Sequence, residues 1–342
     1  MLLKAQGIDS KNPLVHLALA DIYRDRKEYQ NSYDQLKLAF AIPELDIDQK
    51  VKIVMGYVPK FPDPNALNSA LELSRIITVA HPGEAKAFAL YGDILLQNSN
   101  YKDSRTAFRQ SAKLNNTIYP VQEQLVRLDF TENDMNAAIA DGEAALGRFP
   151  NQAWLNYLVG IAYQQKKQPA KALDKLKSAS TLAAQDKDLL AQSYSALGDC
   201  YHELKQYAES DSAYDKSLTY NPDNAYTLNN YAYYLSLRNI QLEKAAQLAG
   251  HANELQPNMA SFEDTYAWIL FKQKKYAEAK VWMEKALQHN KQHSAVQTEH
   301  YGDILFHLGE TDAALQNWIK AKQYGAQSAV LERKINEKKY IE

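Results

Sequence analysis

Small side chains return along this 342-residue chain at an interval near 34 residues, and they constrain its fold more than any other feature. In a frame restarting at residues 13, 51, 85, 119, 153, 191, 225, 260 and 295, the twentieth position reads Ser32, Ala70, Ser104, Ala138, Ala172, Ser210, Ala245, Ala279 and Ala314. The twenty-seventh reads Ala39, Ile77, Ser111, Ala145, Ala179, Ser217, Ala252, Ala286 and Ala321. One residue is inserted before Ala245, and four extra residues enter near Asp46 and near Asp186. The eighth position is small in seven units, as Ala20, Gly92, Gly160, Gly198, Ala232, Ala267 and Gly302. Two antiparallel helices approach closely only where a small side chain sits at the crossing. One such hairpin cannot bury its apolar face alone, so neighbours must stack.

Composition agrees with helices throughout. Glycine (12) and proline (11) are scarce, and no alternating strand pattern of useful length occurs. Pro82, Pro150, Pro222 and Pro257 each follow an apolar-periodic run, as proline does just past a helix end, and lie 68, 72 and 35 residues apart. The chain is 46% hydrophobic and 23% charged, ample for a core. A net charge of -2 gives no electrostatic reason to expect nucleic acid or an anionic membrane as partner. Cys200 stands alone, which excludes an intrachain disulfide and a cysteine-based zinc site. No run of 18 apolar residues is present, so no membrane span is predicted. Met1-Leu2-Leu3 is too short an apolar stretch for a secretory signal.

In the unit at 191, Tyr194, Leu197, Gly198, Tyr201, Ser210, Tyr214, Ser217 and Pro222 fall at positions 4, 7, 8, 11, 20, 24, 27 and 32. This resembles the tetratricopeptide repeat, a 34-residue helix–turn–helix unit. The resemblance implies an all-α, right-handed α-solenoid of nine repeats over residues 13–327. Residues 1–12 then read as the remnant of a preceding repeat, and residues 328–342 as a terminal capping helix. Pro59, Pro62 and Pro64 must end the first helix of the unit at 51 early, so an irregular repeat is expected there.

Position 9 carries the functional reading. It is Asp21, Pro59, Asp93, Arg127, Ile161, Asp199, Tyr233, Trp268 and Asp303, charged in five units of nine, so it ordinarily meets water. Tyr233 and Trp268 are aromatic where the fold asks for none, whereas Tyr234 occupies position 10, which is apolar in eight units. In the tetratricopeptide family, positions 2, 5, 9 and 12 line the concave face, where extended peptides or partner helices bind. Carried onto this chain, that face comprises Trp154, Tyr157, Ile161, His202, Tyr226, Asn229, Tyr233, Trp268 and Phe271, with Asp199, Asp264 and Asp303 as acidic points. Aromatic side chains supply large contact area at low entropic cost. The expected function is a non-catalytic scaffold for a protein or peptide partner. The alternative is a glycan-handling or polysaccharide-export subunit of the bacterial envelope, its aromatics stacking on sugar rings.

No phosphate loop, nucleophile elbow or H-E-x-x-H helix occurs, so neither enzyme chemistry nor a cofactor is expected. His289 and His293 in "HNKQH" have metal-ligand spacing, but they fall between units with no acidic residue close in sequence, and read as a solvated loop. Some family members grip the C-terminal carboxylate of heat-shock chaperones through lysines, asparagines and an arginine from three successive units. Asn230 at position 6 lacks the flanking lysines, so that clamp is not expected. The C-terminal units resemble the closing repeats of long bacterial envelope-associated tetratricopeptide proteins. The resemblance implies a periplasmic or lipoprotein-anchored location if an N-terminal signal has been removed, with the cytoplasm as the alternative.

Overall fold

The computed structural model describes residues 11–341, and among them every regular element is helical. Two compact units divide the chain, residues 1–168 and 169–342. The division falls inside the stretch framed at 153, between its two helices. Of residues 1–12, read as the remnant of an earlier repeat, residues 1–10 lie outside the described residues.

The first unit contains α1 (Pro13–Asp25), α2 (Tyr29–Phe40), α3 (Ile47–Met55), α4 (Pro64–Ala80), α5 (Ala85–Gln97), α6 (Tyr101–Leu114), α7 (Tyr119–Thr131), α8 (Met135–Leu146) and α9 (Ala153–Gln165). The second contains α10 (Pro169–Leu182), α11 (Lys187–Glu203), α12 (Tyr207–Tyr220), α13 (Ala225–Leu237), α14 (Leu242–Leu255), α15 (Ala260–Lys272), α16 (Tyr276–His289), α17 (Ala295–His307), α18 (Thr311–Gln323) and α19 (Ala329–Glu337).

The extra residues near Asp46 and Asp186 lengthen helices rather than loops. α3 and α11 start earlier than the frame, each capped by its aspartate, which accepts from the N–H of Gln49 (3.1 Å) or Leu189 (3.0 Å). The three prolines of the unit at 51 each find a permitted place. Pro59 sits in a 3-10 turn (Val58–Lys60), Pro62 follows a cis peptide bond, and Pro64 opens α4 behind the capping carboxylate of Asp63.

All eighteen residues at positions 20 and 27 are buried. The serines among them do more than stay small. Ser32, Ser104 and Ser210 each donate to the position-8 carbonyl of the facing helix, at 2.7, 2.7 and 2.8 Å. Ser111 and Ser217 donate to the position-1 carbonyls of Ala85 and Ala191, at 2.9 and 2.7 Å. Each hydroxyl therefore pins the second helix to the first at its closest approach. Ser210→Ala, which keeps the volume and removes one such bond, is expected to cost about 1 kcal/mol in urea denaturation; an unchanged midpoint and slope would show that the bond contributes nothing.

Glycine at position 8 opens space for an aromatic ring from the second helix. A Cβ on Gly198 would lie 2.8 Å from the Tyr214 ring, and one on Gly302 2.6 Å from the Trp318 indole. Tyr214 and Trp318 fill those grooves and are wholly buried. The turn inside each hairpin has its own rule. Lys27, Ser99, Asn133, Lys167, Lys205, Asn239, Lys274 and Gly309 all sit at position 15 with φ between 54° and 84°. The left-handed residue lets the next N–H reach back, as Gln206 does to the Tyr201 carbonyl at 2.9 Å.

Candidate functional site

Within the second unit, the first helices α11, α13, α15 and α17 touch in succession, so their outward positions form one face. Asp199 on α11 accepts a short bond from the Tyr214 hydroxyl. One turn on, the His202 ring stacks on Tyr234 at 3.8 Å, and burial with the nearby Arg238 charge holds its imidazole below the usual histidine range. Tyr234, read as a core residue, is half-buried: it packs against the cluster of Tyr214, Tyr231 and Leu235 and lays one ring face on His202. Tyr231 and Leu235 fill the core below.

On α13, Tyr226 is 57% exposed and packs edge-on against Phe262 at 5.3 Å. Asn229 is buried, and Tyr233 is half-buried against the apolar cluster of α15 to α17. Burial pushes the Tyr233 phenol up.

α15 corrects the sequence reading most. Trp268 and Phe271, expected to be open, are 8% and 5% exposed. Their rings stack at 4.8 Å, and the His300 ring of α17 lies on Trp268 at 3.9 Å. Asp264 accepts from His300 Nδ1 at 3.0 Å and holds that ring in place. Asp303, expected as an acidic point on a wet face, is buried. It accepts from Trp318 Nε1 at 2.9 Å and from Lys334 Nζ of α19 at 2.8 Å, and burial raises its pKa against the pull of Lys334. Position 9 meets water at Asp21 and Asp93 but not here, because α19 and the residues after it pack onto this end of the face.

Trp154, Tyr157 and Ile161 belong to the first unit and are half-buried. The two aromatic rings meet edge-on at 5.8 Å, and the Arg127 guanidinium lies 5.5 Å over the indole. That unit also holds a cleft of about 960 Å³ lined by residues of α1 to α4 and of the segment between α3 and α4, among them Arg24, Tyr33, Lys52, Tyr57 and Glu72. Sequence reasoning missed it; its one signal was the proline-rich irregular unit at 51.

The two histidines of "HNKQH" separate in the fold. His289 closes α16 half-buried, with Nδ1 2.8 Å from the buried Glu263 carboxylate, while His293 stacks on Tyr324 at 4.6 Å. The loop reading therefore fails for His289: the acidic neighbour missing from the local sequence comes from α15, 26 residues upstream.

These antiparallel helix pairs, locked at small-residue crossings, define an all-α helical-repeat protein. The tetratricopeptide-repeat profile matches residues 191–224 and 265–293. A TPR repeat-containing protein of Pseudomonas aeruginosa is 33% identical over 89 residues, a match covering 26% of this chain and only 14% of that relative. Among solved structures, a tetratricopeptide repeat protein from Parabacteroides merdae superimposes with a TM-score of 0.57 at 14% identity, covering 74% of this chain and 98% of that one. A chain of the APC/C hetero-tetramer Cut9–Hcn1 gives 0.55 at 12% identity, covering 95% and 69%. The chain thus carries tetratricopeptide repeats at residues 191–224 and 265–293 within an all-α helical-repeat fold.

Proposed function

We propose that this chain is a non-catalytic scaffold, and that the face of α11, α13, α15 and α17 receives an extended peptide segment of a protein partner. The observation that carries this reading is a set of unmade hydrogen bonds. His202 Nδ1, Asn229 Oδ1 and Trp268 Nε1 are buried side-chain atoms without a partner among the described residues, and all three belong to this one face. Leaving such an atom unsatisfied costs about 1–3 kcal/mol; five more such atoms, among them Asp129 Oδ2 and Asn253 Oδ1, are scattered over the described residues, and what sets these three apart is that they share one face. A peptide backbone suits them: it offers a donor and an acceptor at every residue. Sugar stacking draws less support, since Trp268 is too buried to act as an open platform.

Tyr226 is a large aromatic side chain on this face that stands open. Tyr226→Ala is expected to leave the thermal melt within about 1 °C and to weaken binding to hits from an extended-peptide array by about tenfold or more, as for an interface aromatic. Binding of oligosaccharides alone, or peptide binding indifferent to Tyr226, would overturn the proposal.

A further inference from the structure

The chain bends back on itself after its last helix. Lys338 adopts a left-handed conformation (φ 51°) that ends α19 and reverses direction. The segment that follows returns to the aromatic end of the first-helix face. Tyr340 meets Phe271 at 5.8 Å and His307 at 4.7 Å, both edge-on, and the Lys334 ammonium lies 5.4 Å over its ring. Beneath the segment, Trp268, His300, Tyr340 and Ile341 help to wall a cavity of about 230 Å³. A water molecule's share of liquid is about 30 Å³, so the tail covers this place without filling it. Trp268, more than nine-tenths buried, lines that cavity and has its indole N–H unpartnered.

We propose that residues 338–341 are an internal ligand of this face, and that it accepts in exchange an extended segment of another chain carrying an aromatic residue followed by a branched aliphatic one. The inference rests on reading the face as a peptide-binding surface and adds what is recognised there and what competes for it. Three features point this way. The seat is chemically specific: an aromatic ring enters a pocket edged by Phe271, His307 and a lysine. The occupant is short, lies outside any helix and is only half-buried at Tyr340 and Ile341. Such segments open at low free energy, because the conformational entropy recovered on release offsets much of the packing given up. Finally, Trp268 lines that cavity with its buried Nε1–H unpartnered, and a segment that displaces the tail and brings a backbone carbonyl to it gains a bond worth about tenfold in affinity.

The test is fluorescence polarisation with a labelled peptide of residues 336–341, Asn-Glu-Lys-Lys-Tyr-Ile, titrated with the full chain and with its Tyr340→Ala variant. The variant is expected to bind the peptide about tenfold more tightly than the unaltered chain, because its own tail no longer competes. The same peptide with alanine replacing tyrosine is expected to bind neither. A chain ending at Glu337 keeps the test decisive if the point variant loosens α19, since Leu331 and Lys334, both buried, anchor that helix from within. Equal affinity for unaltered and altered chains, or no binding to either variant, would overturn the proposal. Loss of exchange with Tyr226-dependent array binding intact would remove the internal ligand and leave the scaffold reading standing. Exchange without any array hit would establish the tail seat while the wider scaffold reading fails.

Discussion

Trp318→Ala is expected to destabilise the second unit by about 3–5 kcal/mol, the range for truncating a large buried aromatic. The indole is fully buried in the groove that Gly302 opens, so nothing nearby can collapse into the space without a helix shift. Its loss also takes the 2.9 Å donor away from the buried Asp303 carboxylate, leaving Lys334 to carry that charge. Stability in a repeat array is close to a sum of local and nearest-neighbour terms. Hydrogen exchange should therefore rise most in α17, α18 and α19, while helices of the first unit keep their protection. Uniform loss along the whole chain would contradict a nearest-neighbour architecture.

The same positions explain why so much of the fold was legible in the sequence. A helix crossing tolerates little beyond alanine, serine or glycine, so the constraint is written at every unit in one-letter form. Ser210 and Ala279 read alike as small, yet only the serine adds a hydroxyl bond, to the Gly198 carbonyl. The turns were silent for the opposite reason. Position 15 needs a left-handed backbone, for which glycine is the usual sign, but lysine holds it at Lys27, Lys167, Lys205 and Lys274. The hairpin geometry over-determines those residues, and no residue type marks them.

The candidate binding face was only partly legible because exposure there is set by packing from outside the repeat. Trp268 sits where Asp21 and Asp93 meet water, and no periodic pattern announces that His300 and the segment carrying Tyr340 will cover it. His289 fails in the same way, since Glu263 reaches it from a different helix. Tyr226 was legible, as it depends on its own helix and on one neighbour, Phe262.

Raising the pH from 7.5 to 9.5 is expected to stabilise the first unit by about 2 kcal/mol through Lys50. Its side chain is wholly buried, and Nζ bonds to the carbonyls of Phe40 (2.9 Å) and Ile42 (2.8 Å) and to His81 Nε2 (2.7 Å). No carboxylate is among these partners, so burial pushes the ammonium down to about 8, against about 10.4 for a free lysine. The sign follows from proton binding. Below pH 8 both folded and unfolded chains carry the charge, and the fold bears its full desolvation cost. Between 8 and 10.4 the unfolded chain binds more protons than the folded one, so stability climbs with pH. The site suits the neutral amine, whose two N–H groups serve the two carbonyls while its lone pair accepts from His81 in the Nε2–H tautomer. His81 is itself held below the usual histidine range by burial and by Lys50, and stays neutral throughout this window. Staying below pH 10 also avoids opposing contributions from partly buried phenols such as Tyr57, which burial pushes upward. Urea denaturation of the full chain and of Lys50→Met at both pH values isolates the effect. The variant loses the bonds to Phe40 and Ile42 at either pH, so its absolute stability is not the readout. Only the unaltered chain should gain on going to pH 9.5, and an equal gain in Lys50→Met would assign the titration to another group.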